Sequence, residues 1–198
     1  MAFEQIIGND DIKNLLENTL KKNNVLHSYL FCGIEGIGKF LFAKEFAKGI
    51  LCMNNENAPC GLCKSCIEFE TYNNPDFHII DVDKDSIKID QIRIMNEKIF
   101  EKPISSKRKV YVINNSEKMT IAAQNSLLKT LEEPPEYATV ILICNQENLL
   151  LPTVKSRCTR IDFHNLTNEE IEVYLKNNSI DFSKEILELS RTEVFHNY

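Results

Sequence analysis

Gly33-Ile34-Glu35-Gly36-Ile37-Gly38-Lys39-Phe40 decides the fold of this chain. An apolar run, Tyr29-Leu30-Phe31-Cys32, leads into it, and an amphipathic segment leaves it. Strand, glycine-rich turn and helix start form the setting in which backbone N–H groups wrap an anion and the helix dipole favours negative charge. Gly33, Gly36 and Gly38 allow the tight wrap, and Lys39 supplies a point charge for the outer phosphates. Every position but the last meets the nucleotide-loop pattern G-x-x-x-x-G-K-[ST]. The last, where a hydroxyl would hold Mg²⁺, is Phe40.

Outward from the loop, strands and helices alternate. Val25 to Cys32 reads as a buried strand, and Phe42, Ala43, Phe46, Ala47 and Ile50 share a helical face behind it. Further strands are expected at Phe77–Val82, Val110–Ile113, Thr139–Cys144 and Thr159–Phe163. Helices are expected on Ile12, Leu15, Leu16 and Leu20, capped by Asn9, and on Ile89, Ile92, Met95 and Ile99, running toward Pro103. Another carries Ala123, Leu127, Leu128 and Leu131 and stops at Pro134-Pro135. Such alternation predicts an α/β fold with a parallel sheet covered on both faces. Thr167-Asn168-Glu169-Glu170 is a capping-box pattern that opens a helix on Ile171 and Leu175, and Ser183 could cap another. This helical tail sets a boundary near Leu166, dividing residues 1–165 from 166–198.

The chain has 198 residues, 43% of them hydrophobic, and a net charge of −6. That acidic balance argues against holding nucleic acid by bulk electrostatics. No apolar run is long enough for a membrane helix, and the N-terminus lacks the pattern of a secretory signal. The expectation is a cytoplasmic protein without a membrane partner, in which seven cysteines serve as ligands or core rather than disulfides.

Cys52, Cys60, Cys63 and Cys66 are spaced C-x7-C-x2-C-x2-C. Four thiolates bind Zn²⁺ tetrahedrally, and a closed set of this kind indicates a structural module, here residues 52–66. The alternative is a group of unpaired thiols. Cys32, Cys144 and Cys158 fall in or beside strands and read as core. Val110 to Ile113 ends in Asn114-Asn115, where a nucleotide hydrolase would carry an acidic pair to hold Mg²⁺ and orient water. An amide binds a divalent ion weakly and takes no proton. An ordinary strand ending in a turn would read the same way, but Phe40 makes this a second missing Mg²⁺ contact. Arg157, in Ser156-Arg157-Cys158, is either a surface residue or a guanidinium offered to another subunit's phosphate. Spacing does not choose between the two. Ser105-Ser106-Lys107-Arg108-Lys109 reads as a solvated strand entrance rather than a DNA site, and the four histidines share no ligand spacing.

Gln124-Asn125-Ser126-Leu127-Leu128-Lys129-Thr130-Leu131-Glu132-Glu133-Pro134-Pro135 resembles the signature of bacterial replicative clamp-loader subunits, within the AAA+ superfamily. So do Ser156-Arg157-Cys158, the His27-Ser28-Tyr29-Leu30-Phe31 approach to the loop, and the four inserted cysteines. The resemblance runs from about Phe3 to Leu175 and implies a RecA-like α/β domain with zinc, a helical lid that is partial here, and a collar domain that is absent. Phe40, Asn114 and Asn115 match its δ′ branch, which is often incapable of hydrolysis, rather than the γ/τ motors. The resemblance assigns Arg157 to the ATP of a neighbouring γ/τ subunit, acting in trans, and sets Asn145 near a γ-phosphate-sensing position. Implied partners are γ/τ and δ, with the sliding clamp and primed DNA reached through the complex. ATP and Mg²⁺ are not expected to be used by this chain, and a fragment without the collar is expected to assemble poorly. Two rivals remain: a hydrolysing γ/τ-like motor and a zinc-centred nucleic-acid module.

Overall fold

A computed structural model describes residue 3, residues 5–54 and residues 58–177. Five parallel strands form one sheet: β1 (Ser28–Cys32), β2 (Phe77–Ile80), β3 (Lys109–Ile113), β4 (Ala138–Cys144) and β5 (Thr159–Asp162), in the order β2-β3-β4-β1-β5. All five expected strands are present, with ends shifted by a few residues. Every residue of β1, β3 and β4 is buried, as central parallel strands covered on both faces must be.

The strand period sorts the core into two layers. Ile141 and Ile143 of β4 point into a cluster with Phe31, Phe42, Phe46 and Leu16. Val140, Leu142 and Cys144 point into the opposite cluster with Ile92, Met95, Ile113 and Leu127. Helices α1 (Asp10–Lys21) and α2 (Lys39–Leu51) supply the first layer, and α4 (Ile89–Lys98) and α5 (Ile121–Glu132) the second. Two short helices, α3 (Lys64–Glu70) and α6 (Pro152–Lys155), are additions to the expected set. Helix α7 (Asn168–Asn177) begins with the expected reciprocal cap: Glu170 N–H donates to Thr167 Oγ1 at 3.2 Å, and Thr167 N–H to Glu170 Oε2 at 2.7 Å. The further helix expected from Ser183 lies outside the described residues.

Two expectations for α1 are corrected. Leu15 is exposed, because only Ile12, Leu16 and Leu20 fall on the inward stripe. Asn9 does stand at the N-cap, but its side chain makes no cap bond. Its Nδ2 donates to His164 O at 3.1 Å, and its Oδ1 accepts from His164 N–H at 2.7 Å.

Because the strands are parallel, Gly33, Asn114 and Asn145, which follow β1, β3 and β4, gather at one edge of the sheet. That carboxyl edge is where open α/β sheets bind ligands.

Candidate functional site

The loop after β1 makes the predicted turn into α2. Gly38 caps that helix at φ +87°, a conformation that suits glycine. At Gly33 the constraint is space: a Cβ would lie 2.5 Å from Ile37 Cδ1 and 3.1 Å from the Phe163 carbonyl oxygen. Lys39 is only 4% exposed and folds back over the loop. Its Nζ donates to Gly33 O at 2.8 Å and to Ile34 O at 2.5 Å. Burial pushes its pKa down to about 8, and the carboxylate of Glu117 pulls partly the other way. Phe40, at the position of the absent hydroxyl, packs against the α1–α2 core.

The end of β3 carries no carboxylate. Asn114 Nδ2 donates to Asp81 Oδ2 at 2.8 Å, and Asn115 Nδ2 to Asp81 Oδ1 at 3.1 Å. Both amides thus turn their nitrogens toward an acid at the end of β2. Asn145 Nδ2 donates to Glu117 Oε1 at 2.9 Å and to Asn115 Oδ1 at 3.2 Å, while its backbone N–H meets Glu117 Oε2 at 3.3 Å. Both carboxylates of this edge, Asp81 and Glu117, therefore already accept from protein donors. With Phe40 and the two asparagines where hydroxyl and carboxylates would stand, these residues do not fit a magnesium–nucleotide centre of the hydrolysing type. Asp81 and Glu117 were not anticipated. The available signal was an acid just beyond the apolar end of a strand, at the sheet edge that binds ligands.

The four inserted cysteines do come together. Their Sγ atoms all lie within 4.8 Å of one another, and Cys52 and Cys63 are 4.0 Å apart. Cys52 ends α2, Cys63 caps α3, and Cys66 lies in the first turn of α3. Backbone N–H groups of Asn54 and Cys60 point at Cys52 Sγ, and that of Cys63 at Cys60 Sγ, each at 3.4 Å. Such donors stabilise thiolates, and the backbone of Leu62 is the largest influence lowering the Cys60 thiol, to about 6. A tetrahedral zinc with Zn–S of about 2.3 Å needs sulfurs about 3.8 Å apart, close to the spacing here. The residues fit a metal. By contrast burial holds Cys32 at about 11, Cys144 at about 12 and Cys158 at about 11, as core thiols.

Arg157 follows α6 and lies at the amino edge of the sheet, opposite the loop. Its Nη2 donates to Glu132 Oε1 at 2.5 Å and its Nη1 to Thr153 O at 2.8 Å. Its carbonyl accepts from Ser28 Oγ at 2.6 Å, which pins the backbone to the start of β1. The basic run before β3 is less solvated than expected. Lys109 is buried and donates to Lys98 O at 3.0 Å, and Arg108 reaches Val25 O at 3.4 Å. The backbone N–H groups of Ile104, Ser105 and Ser106 all donate to buried Asp76 at 2.7 Å. Among the described residues no helix is long and apolar enough to cross a membrane.

A family profile described as "DNA polymerase III, delta subunit" matches residues 8–167. The chain belongs to this clamp-loader family of DNA polymerase III. It is 38% identical to DNA polymerase III subunit delta' of Bacillus subtilis (strain 168) over 161 residues, covering 81% of this chain and 49% of the relative. It is 36% identical to subunit tau of the same organism over 171 residues, covering 85% of this chain and 30% of that one. The chain thus spans half or less of the length of these relatives. Among solved structures, a DNA polymerase III gamma subunit-related protein of Thermotoga maritima matches with a TM-score of 0.59 at 24% identity, over 90% of this chain and 53% of that one. The RuvB Holliday junction branch migration motor of the same organism matches with a TM-score of 0.60 at 17% identity, over 90% and 52%. These two likenesses support the expected RecA-like AAA+ fold.

Proposed function

We propose that this clamp-loader chain is of the δ′ type: a subunit that does not hydrolyse ATP itself and completes a neighbour's site with Arg157. The observation that carries it is the rebuilt metal edge, where Phe40 is half-buried against the core and Asn114 and Asn115 turn their amides onto Asp81. A pocket that cannot grip Mg²⁺ leaves the guanidinium as this chain's contribution to chemistry. Such a finger stabilises transition-state charge and is worth roughly 10³–10⁵ in rate. Head-to-tail contacts within a ring suit one subunit serving the next. In this reading residues 1–165 form the AAA+ unit, residues from 166 begin a helical lid, and Cys52, Cys60, Cys63 and Cys66 hold a structural zinc. The partners are γ/τ and δ, acting on the sliding clamp and primed DNA in the cytoplasm.

A second reading, a γ/τ-like motor, is favoured by the 36% identity to a tau subunit and by the retained Lys39. The deciding experiment is clamp- and DNA-stimulated ATPase of a loader reconstituted with the full chain, wild type or Arg157→Ala. The δ′ reading expects assembly to be retained and the rate to fall by at least tenfold. An unchanged rate removes the finger assignment. Mg²⁺-dependent turnover by this chain without γ/τ would establish the motor.

A further inference from the structure

Glu132 ends α5. A carboxylate there faces the negative end of the helix dipole, where a cation is favoured. Its local setting therefore does not account for it. The compensating charge is Arg157, 25 positions away, whose Nη2 donates to Glu132 Oε1 at 2.5 Å. The other arm of the guanidinium, Nη1, donates to Thr153 O at 2.8 Å and reaches Ser156 Oγ at 3.5 Å. The fork is thus held from two sides, by a carbonyl of α6 and a carboxylate of α5.

Both supports are themselves fixed. Gln124 of α5 donates through Nε2 to Leu149 O at 3.2 Å and accepts the Leu151 N–H at Oε1 at 2.7 Å, which ties α5 to the segment that opens α6. Ser28 Oγ holds the Arg157 carbonyl. The Arg157 side chain is still 33% exposed. A guanidinium has five N–H donors, and these bonds engage only part of the fork.

Resting on the finger reading of Arg157 given above, we propose that Glu132 is a positioning residue. It sets the guanidinium in the pose in which it meets a neighbouring subunit's phosphate. An unrestrained arginine must lose its rotamer freedom as the transition state forms, and a misplacement of about 1 Å can cost about a hundredfold in rate. Glu132 prepays that ordering in the resting chain.

The test compares three full-chain variants, Glu132→Ala, Glu132→Gln and Arg157→Ala, in loaders reconstituted with clamp and primed DNA. Glu132→Ala is expected to lower kcat about tenfold with KM for ATP and assembly unchanged, and Glu132→Gln, which keeps an acceptor, to recover part of the loss. A role confined to folding would not split kcat from KM in this way. If Arg157→Ala lowers the rate while Glu132→Ala matches wild type or exceeds it, the positioning role is overturned and the finger stands. If Arg157→Ala is without effect, the finger reading fails and this inference falls with it. A second measurement needs no assembly. The Arg157 side-chain N–H signals in the NMR spectrum of the isolated chain should exchange with water more slowly in wild type than in Glu132→Ala. Equal exchange would overturn the restraint.

Discussion

Lys39, the point charge of the glycine-rich loop, donates in the folded chain to the loop's own carbonyls. Its pKa of about 8 lies below the ordinary 10.5, and burial is the first cause. The native state therefore releases this proton before the unfolded state does. The penalty is full below about pH 8, and stability rises between about 8 and 10.5, where only the unfolded chain still binds the proton. Lys39→Met should remove that slope and stabilise the chain at pH 7 by about 1–2 kcal/mol, after discounting for two lost hydrogen bonds. Denaturant titrations of both proteins from pH 7 to 10 would show it, and parallel pH profiles would refute it. Asp76 makes the opposite case. It accepts three backbone N–H groups while fully buried, so Asp76→Ala leaves three donors unmet and should cost about 3 kcal/mol or more in the same assay. Residue-level partnerships of this kind were the least legible part of the sequence. Asp81, Glu117 and Glu132 come from turns and helix ends whose meeting depends on how parallel strands line up.

Among the elements, the three central strands were legible because buried parallel strands read as near-continuous apolar runs. Helix α3 was not, since seven residues give too little periodicity and its N-terminus is set by Cys63 rather than by a capping signal. Its order should therefore depend on the metal. One equivalent of zinc per chain is expected by mass spectrometry. Its removal by chelator, or Cys66→Ser, should lower the melting temperature and speed amide exchange in α3 more than in β3 or β4. Uniform exchange would mean that the thiols do not organise the module. Helices α1 and α2 offer a sharper packing test. A Cβ on Gly49 would lie 2.4 Å from Leu20 Cδ1. Gly49→Ala should cost about 1 kcal/mol, overpacking outweighing helix propensity, yet become neutral or stabilising in a Leu20→Ala background. Additive effects in the double mutant would show that the two helices are not in close contact there.

At the scale of the whole molecule, the sheet brings the nucleotide loop and the asparagine edge to its carboxyl side, while Arg157 stands at the opposite, amino edge, before β5 and beside the start of β1. The chain separates the glycine-rich loop from Arg157, whose carbonyl is held at the start of β1. Purified alone, it should release no phosphate from Mg·ATP above the background of a Lys39→Ala variant. Turnover that this variant abolishes would contradict the δ′ reading. The fold class and cysteine cluster could be read from residue order because both are written in local spacing. The direction in which Arg157 acts could not, since that depends on a partner.

Asn9 and His164 form a two-bond stitch across 155 positions, joining the residue before α1 to the segment that carries the chain from β5 into α7. Gly8 lies against the same segment, where a Cβ would collide with Leu166 at 2.2 Å. The root of α7 is thus sewn to the opening turn of the polypeptide. Any swing of the helix would tug on that seam, so a fluorophore near Gln5 would report movements begun more than a hundred and fifty residues downstream.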